Sequence, residues 1–455
     1  MQKFNTGFSV VAAKLTPVFF GVMTSLTLPL SSGIALETPI PHQQNQVNAG
    51  LEISKLVDLL AQSLPTANVN PPTVEEIKQV AKKQNATLVQ YSIISEEVKI
   101  EGKQQSQESE IYIWVIPPNG EISLRRVDLK TWREKEKTTL ADLIKQIQQI
   151  NGSGIERNKG IVVQPGVKEN SAKLLWKQLH QLLIQPIAEL LPNKPESRVI
   201  FIPQDKLFLV PFAALQDANN KYLIEKHTIS TAPSIQLLDL LAQRRTANTT
   251  STQDVLIVGN PTMPTKPLNP GEEFRKFSPL PGAEQEAKNI ASIYHTQALT
   301  GDAATETTVV ERMSKARIIH LATSGLLGEY LEIPGLLAFA PSSQDDGWLT
   351  GSEVSKLKLN ADLVVLSSCD SALGKITGDG VIGLSRAFIA AGANSVISAF
   401  GDIPDAQTAT LMTEFHNNLS KNPDKAAALR QAMLATMKQH PNPQDWAMFT
   451  LVGLP

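Results

Sequence analysis

Cys369 is the only cysteine in the chain, and it stands just past the apolar run "ADLVVLSS", before the polar, glycine-rich "DSALGKITGDG". A thiol in that setting is a candidate nucleophile, because a loop at the end of a buried strand exposes a side chain on a rigid support. Free cysteine is also among the most buried residue types and often serves as a small hydrophobe, so the residues alone leave both readings open. As a nucleophile it would need a base, since the thiolate attacks and an ordinary thiol has a pKa of about 8.5. Histidine is the usual partner, and the chain has seven: His42, His180, His227, His295, His320, His416 and His440. His320 comes nearest in pattern, in "ARIIHLATSGLL", but it lies inside the apolar run, where a satisfied core histidine is expected. The run ends instead on Ser324 and Gly325.

Two other constellations compete. Ser324 could itself be a nucleophile, but "TSGLL" lacks the G-x-S-x-G elbow and has no evident base, so a turn or helix N-cap role fits it better. "GDGVIG", Gly378 to Gly383, matches the dinucleotide fingerprint, and Asp402 follows at about the ribose-binding offset. That fingerprint needs its first glycine at the strand end, where the helix N-terminus meets the pyrophosphate, whereas a loop separates "VVLSS" from Gly378. A flexible loop with close helix packing at Gly383 is the preferred reading. No His/Cys/Asp cluster has metal-ligand spacing, so no metal or other cofactor is expected.

The elements that must position these residues are legible as patterns. "RVIFIP", "DVLIVGN", "ARIIHLAT", "ADLVVLSS" and "NSVISAF" are short, nearly continuous apolar runs, as strands buried on both faces should be. Helical patterns such as "GAEQEAKNIASIY" and "GVIGLSRAFIAAG" lie between most of them, which predicts an α/β fold with a mainly parallel sheet flanked by helices. If the strands before Ser324 and Cys369 are neighbours, both residues face one crevice at the carboxyl edge of that sheet. Upstream, Thr73 with Glu76 forms a capping-box signal. "ATLVQYSII" and "EIYIWVIPPNGEISLRRVDL" read as alternating strands with a turn at Pro118, Asn119 and Gly120. "TTLADLIKQIQQI" and "SAKLLWKQLHQLLIQPIAELL" read as helices; the stretch from Thr246 to Thr252 and the Pro-rich "NPTMPTKPLNPGEEF" read as loops.

Composition excludes several classes. A formal net charge of -2, from 42 Lys plus Arg against 44 Asp plus Glu, gives no field that favours nucleic acid or an anionic membrane. One cysteine cannot make an internal disulfide, so stability must come from the core. Lys3 and Lys14, the uncharged "LTPVFFGVMTSLTLPLSSGIAL" and small residues at Gly33 and Ala35 form a secretory signal pattern over residues 1–35, and an exported, periplasmic or extracellular protein is expected. Membrane anchoring by the same segment is the alternative. Residues 36–85 read as a linker and short helices, including "LEISKLVDLLAQSL".

"IIHLATSGLL", "GWLTGSEVSKLKLNADLVVLSSCDSALGK", "GDGVIGLSRAFIAAGANSVISAF" and "DWAMFTLVGLP" resemble, in order and spacing, the CHAT domain, a caspase-like family related to separase. "DKLFLVPFAAL", "YLIEKHTISTAPSIQLL" and "PLPGAEQEAKNI" fit it too. The resemblance runs from about Ala86 and is strongest from Leu280 onward. It implies a non-catalytic, caspase-related half over residues 86–279 and a caspase-like core over residues 280–455. It places Cys369 on the family's catalytic cysteine, in "SSCDSA" where the family has S-A-C-E-T-G, and Gly325 on the glycine whose backbone N–H helps hold the oxyanion. The family's H-F-A-T-H-G is here "HLATSG": His320 keeps the first histidine and Ser324 replaces the second, the catalytic base. A neutral hydroxyl cannot take the thiol proton at neutral pH. An impaired peptidase that holds a peptide or protein in the old cleft is therefore expected. The alternative is an active cysteine endopeptidase with a non-standard base, for which His227 or His295 would have to fold into the crevice.

Overall fold

The computed structural model describes residues 72–100, 103–150, 169–247, 254–265, 277–326, 335–368, 375–377, 380–401 and 404–455. The signal pattern at 1–35, the helical pattern at 51–64, Cys369, Gly378 and Asp402 lie outside the described residues.

Among the described residues, eleven strands form one sheet. Strands β1 (Ala86–Ile100), β2 (Lys103–Ile116) and β3 (Ser123–Asp128) are antiparallel neighbours, with the predicted turn at 117–122 between β2 and β3. From β1 the sheet continues in parallel through β4 (Arg198–Ile202) and β5 (Thr228–Thr231). β6 (Val255–Pro261), β7 (Leu299–Gly301) and β8 (Ile318–Ala322) are parallel, with β6 between the other two. After β8 the chain leaves the main sheet for a three-stranded antiparallel one, β9 (Gly325–Leu326), β10 (Leu336–Ala338) and β11 (Trp348–Thr350). It returns as β12 (Leu363–Ser367), in parallel beside β8. A hairpin of β13 (Lys375–Thr377) and β14 (Gly380–Ile382) comes before β15 (Ser395–Ala399), which is parallel to β12. The last strand, β16 (Phe449–Gly453), runs antiparallel to β15 and meets β5 through the pair Val452 and Thr231, joining the two halves of the sheet.

The helices cover both faces because the strands are apolar on both. In chain order they are α1 (Val74–Gln84), α2 (Leu129–Glu136), α3 (Leu140–Ile150), α4 (Glu169–Leu183), α5 (Leu223–Lys226), α6 (Ile235–Ala247), α7 (Pro281–Ile293), α8 (Glu306–Met313), α9 (Gly351–Val354), α10 (Leu384–Ala391), α11 (Asp405–Lys421) and α12 (Lys425–Gln439). Ile257, Ile318, Val365 and Ile397 pack into one core with α2 to α5, α7, α11 and α12. Their neighbours Leu256, Ile319, Val364 and Val396 point the other way, into a second core with α1, α6, α8, α9 and α10. This is the period-two alternation of a strand with no solvent face, and it is why the sequence runs look continuous rather than alternating. The mainly parallel, helix-flanked α/β fold is the one the sequence predicts.

Local signals account for several boundaries. Thr73 and Glu76 form the predicted capping box, each side chain satisfying the other's backbone N–H. Pro186 ends regular helix after α4, and Gln185–Leu190 is a 3-10 segment. Two expected loops are shorter than predicted. α6 runs on through Thr246, whose hydroxyl bonds back to the Ala242 and Gln243 carbonyls, and part of the expected loop at Gly378 to Gly383 is the β13 and β14 hairpin.

Candidate functional site

Ala322 and Ser367, the last residues of β8 and β12, are paired side by side. Neighbouring strands lie about 4.8 Å apart, so the chain continues from both into the same edge of the sheet. Ser324 follows two residues after Ala322, and Cys369 in sequence two residues after Ser367. The adjacency on which the crevice depends is therefore present, while Cys369 itself is outside the described residues.

Ser324 is half-buried in the short link between β8 and β9, and a strand rather than a helix follows it, so it is not a helix N-cap. Its carbonyl accepts the Ala338 N–H at 3.0 Å, and the preceding Thr323 hydroxyl donates to the Ala338 carbonyl at 2.5 Å. Gly325 pairs with Leu337, next to that hydrogen-bonded Ser324 and Ala338 position. Hydrogen-bonded and non-hydrogen-bonded pairs alternate along an antiparallel ladder, so the Gly325 N–H is directed away from β10. β9 is the edge strand of its sheet, so no strand among the described residues pairs with that donor.

On the other wall, Ser367 and Ser368 are buried, 7% and 6% exposed, and neither hydroxyl has a hydrogen-bond partner among the described residues. Gly383 is the extended N-cap of α10 and, as a glycine, brings no side chain to cap it. The glycines of "GDGVIG" that are described sit in a hairpin strand and at this N-cap, not in a turn that leads directly from β12 into the helix. That geometry does not fit a pyrophosphate fingerprint. Among the described residues no group of three His, Cys, Asp or Glu side chains could hold a metal ion, and no helix is long and apolar enough to cross a membrane.

The candidate bases lie elsewhere. His227 precedes β5, and β16 and β15 stand between that strand and β12. Its ring is buried, and burial, then the Lys226 and Arg430 charges, push its pKa down to about 4. His295 is exposed in a left-handed turn beyond the C-terminal end of α7. His180 lies on α4 and His440 caps the end of α12. His42 is outside the described residues.

His320 is the buried, doubly hydrogen-bonded core residue its strand position implies. Its Nε2 lies 2.7 Å from Glu286 Oε1 on α7, and its Nδ1 lies 3.1 Å from His416 Nε2 on α11. The partners were not singled out by sequence reasoning. A signal existed: Glu286 shares the buried stripe of α7 with Ala283, Ala287 and Ile290, and a carboxylate on such a stripe requires a partner.

Comparison with known proteins reports the same family from outside the chain. The CHAT domain family profile matches residues 173–454. Tetratricopeptide repeat protein 28 of Mus musculus is 29% identical over 333 residues, covering 63% of this chain and 13% of that protein. The Homo sapiens protein of the same name is 29% identical over 335 residues, covering 64% and 13%. The chain thus spans about an eighth of the length of these curated relatives. Among solved structures, the separase–securin complex of Saccharomyces cerevisiae aligns with a TM-score of 0.48 at 13% identity, covering 85% of this chain and 32% of the other. The Arg-specific cysteine proteinase gingipain R aligns with a TM-score of 0.39 at 12% identity, covering 71% and 75%.

Proposed function

Because this chain belongs to the CHAT domain family, we propose that it is an exported, catalytically impaired peptidase homologue whose crevice beyond β8 and β12 holds a peptide or protein partner. One observation carries the reading: Ser324, not histidine, follows the strand that lies beside the one leading to Cys369. A hydroxyl cannot act as the base that generates a thiolate, and losing a general base typically costs about 10²- to 10⁴-fold in rate. The N-terminal pattern at residues 1–35 supports export.

The second reading, an active cysteine endopeptidase using Cys369, draws on the Gly325 N–H. That donor faces away from β10, as an oxyanion donor would need to. His227 and His295 offer it no base where the strands place them, so it would rest on a thiol pKa lowered by backbone dipoles.

Residues 36–455 should be assayed against a broad peptide library as wild type, Cys369→Ala and Ser324→His. Peptide capture by wild type and Cys369→Ala without cleavage, with cleavage appearing in Ser324→His, is the expected result. Cleavage by wild type that vanishes in Cys369→Ala would replace the binding reading with the peptidase one.

A further inference from the structure

A separate cavity lies at the opposite edge of the sheet from Ser324. Arg198 opens β4, while Arg317 and Asp362 stand just before β8 and β12, so all three sit at the amino edge. Strands of this length put that edge about 17 Å from the carboxyl edge, where the crevice is. The cavity, open to solvent and about 470 Å³ in volume, lies between the C-terminal ends of α1 and α6, the start of β4 and the turn from α11 into α12. Its charged lining is Lys83, Arg198, Arg245 and Asp424.

The charges around this cavity do not balance. Arg198 pairs with Asp424 at 2.5 Å, and Lys83 pairs with Asp239 at 3.1 Å. Behind the wall one carboxylate serves two cations: Asp362 lies 3.1 Å from the buried Lys425 and 3.8 Å from Arg317. Arg245 is exposed at the end of α6, its guanidinium makes no hydrogen bond or ion pair among the described residues, and its charge acts on both Asp362 and Lys425. Lys83, Arg198, Arg245, Arg317 and Lys425 thus face Asp239, Asp362 and Asp424, with cations in excess. The ends of α1 and α6 offset only part of it, since a helix end carries about half an elementary charge. Lys425 registers the surplus: burial lowers its pKa, Asp362 opposes that, and Arg245 and Arg317 lower it further.

We propose that this cavity binds a small, soluble phosphate-bearing anion, held by Arg245 and Arg198 with Lys83 beside them. A phosphate group carries a charge of about -1.5 to -2 near neutral pH and presents three acceptor oxygens, so it answers the surplus better than a single carboxylate does. Guanidinium groups meet phosphate oxygens through paired N–H donors, and the Arg245 donors are uncommitted. The volume falls within the range of small-molecule sites, about 300–1,000 Å³. α1 and α6 cover one face of the sheet, and α11 and α12 cover the other. An anion between them ties both helix layers to the start of β4, far from the crevice beyond β8 and β12.

The test is calorimetric titration of the full chain with inorganic phosphate and with phosphoethanolamine, against sodium chloride at matched ionic strength. Saturable binding at a single site is expected for both phosphates and none for chloride. Arg245→Gln should weaken it about tenfold or more, the scale of one charge-assisted hydrogen bond. Because Arg245 is exposed and its guanidinium unpaired, that variant keeps the fold. Lys438→Gln removes the same charge from the exposed far end of α12, about 20 Å from Lys425, and should leave binding unchanged. Equal weakening by both variants, or phosphate no better than chloride, would reduce the feature to a solvated basic patch and overturn the site. Pro455 also borders the cavity, so a loss of stability in Arg245→Gln without any phosphate binding would assign Arg245 to the Pro455 carboxylate and overturn it as well.

Discussion

The backbone N–H of Gly282 donates to Asp405 Oδ2 at 2.6 Å, tying the first turn of α7 to the first turn of α11. α7 has no side-chain N-cap of its own, so the Asp405 carboxylate satisfies an orphan donor and meets the positive end of the helix dipole. The approach is close: a Cβ on Gly282 would lie 2.4 Å from Asp405 Oδ2. Gly282→Ala is expected to cost about 1–3 kcal/mol, the range for overpacking, read as a shift in the urea midpoint. Because the clash needs both groups, Gly282→Ala with Asp405→Ala should cost less than the sum of the two single changes. Strict additivity would show that the contact does not set the helix positions.

Arg244 ties α6 to the C-terminal end of α10. Its buried guanidinium donates to the Ala393 carbonyl at 2.5 Å, the Ile389 carbonyl at 3.3 Å and Asn394 Oδ1 at 3.4 Å. Burial lowers its pKa to about 10, which leaves it charged at neutral pH, where it complements the negative end of α10. Arg244→Met keeps most of the apolar stem but removes the donor to the Ala393 carbonyl, while Ile389 keeps the Gly392 N–H, at an expected cost of about 1–3 kcal/mol. A urea midpoint within error of wild type would mean that other groups or water satisfy α10.

What could be read from the chain divides along physical lines. The runs around Ile319 and Val364 announce themselves because both faces of β8 and β12 are buried, so burial leaves a mark on every residue. The polar stretch at the start of β2 leaves no such mark. From Lys103 to Glu108 it pairs with β1 beyond the reach of β3 and β4, held by a backbone ladder that places no demand on residue type. Ser324 is visible because a motif surrounds it. Glu286 and His416 are not, since their meaning depends on two helices and a strand that only the fold brings together.

His227 should make the protein sensitive to acid. Its ring is buried with Nδ1 unpartnered among the described residues, and its pKa falls from 6.5 to about 4 through burial, then through Lys226 and Arg430. The unfolded chain takes up this proton below 6.5 and the folded chain does not until about 4, so the contribution is complete above 6.5 and is lost as pH falls through that window. His416 is shifted in the same direction by burial and acts with the same sign. His227→Gln is expected to flatten, without abolishing, the decline of the urea midpoint between pH 6.5 and pH 4. An unchanged slope would mean that His227 titrates in the fold much as it does when unfolded.

Glu306 works in the opposite direction. It opens α8 next to the loop before β11, and burial, then the carboxylates of Glu353, Asp345 and Asp346, raise its pKa from 4.5 to about 7. Asp345 Oδ2 accepts from the Thr307 backbone at 3.1 Å and from Ser342 at 2.7 Å, while Glu306 has only the Gly347 backbone N–H to set against its burial, and its Oε2 has no partner among the described residues. A folded pKa above the unfolded one means that the protonated form suits the fold. Its contribution is complete below 4.5 and is lost as pH rises through about 7. Glu306→Gln keeps the shape and removes the charge, so the variant should exceed wild type in urea midpoint near pH 8 and match it near pH 4. A gain of equal size at both pH values would assign the effect to packing, and no gain at pH 8 would mean that solvent already stabilises the Glu306 carboxylate.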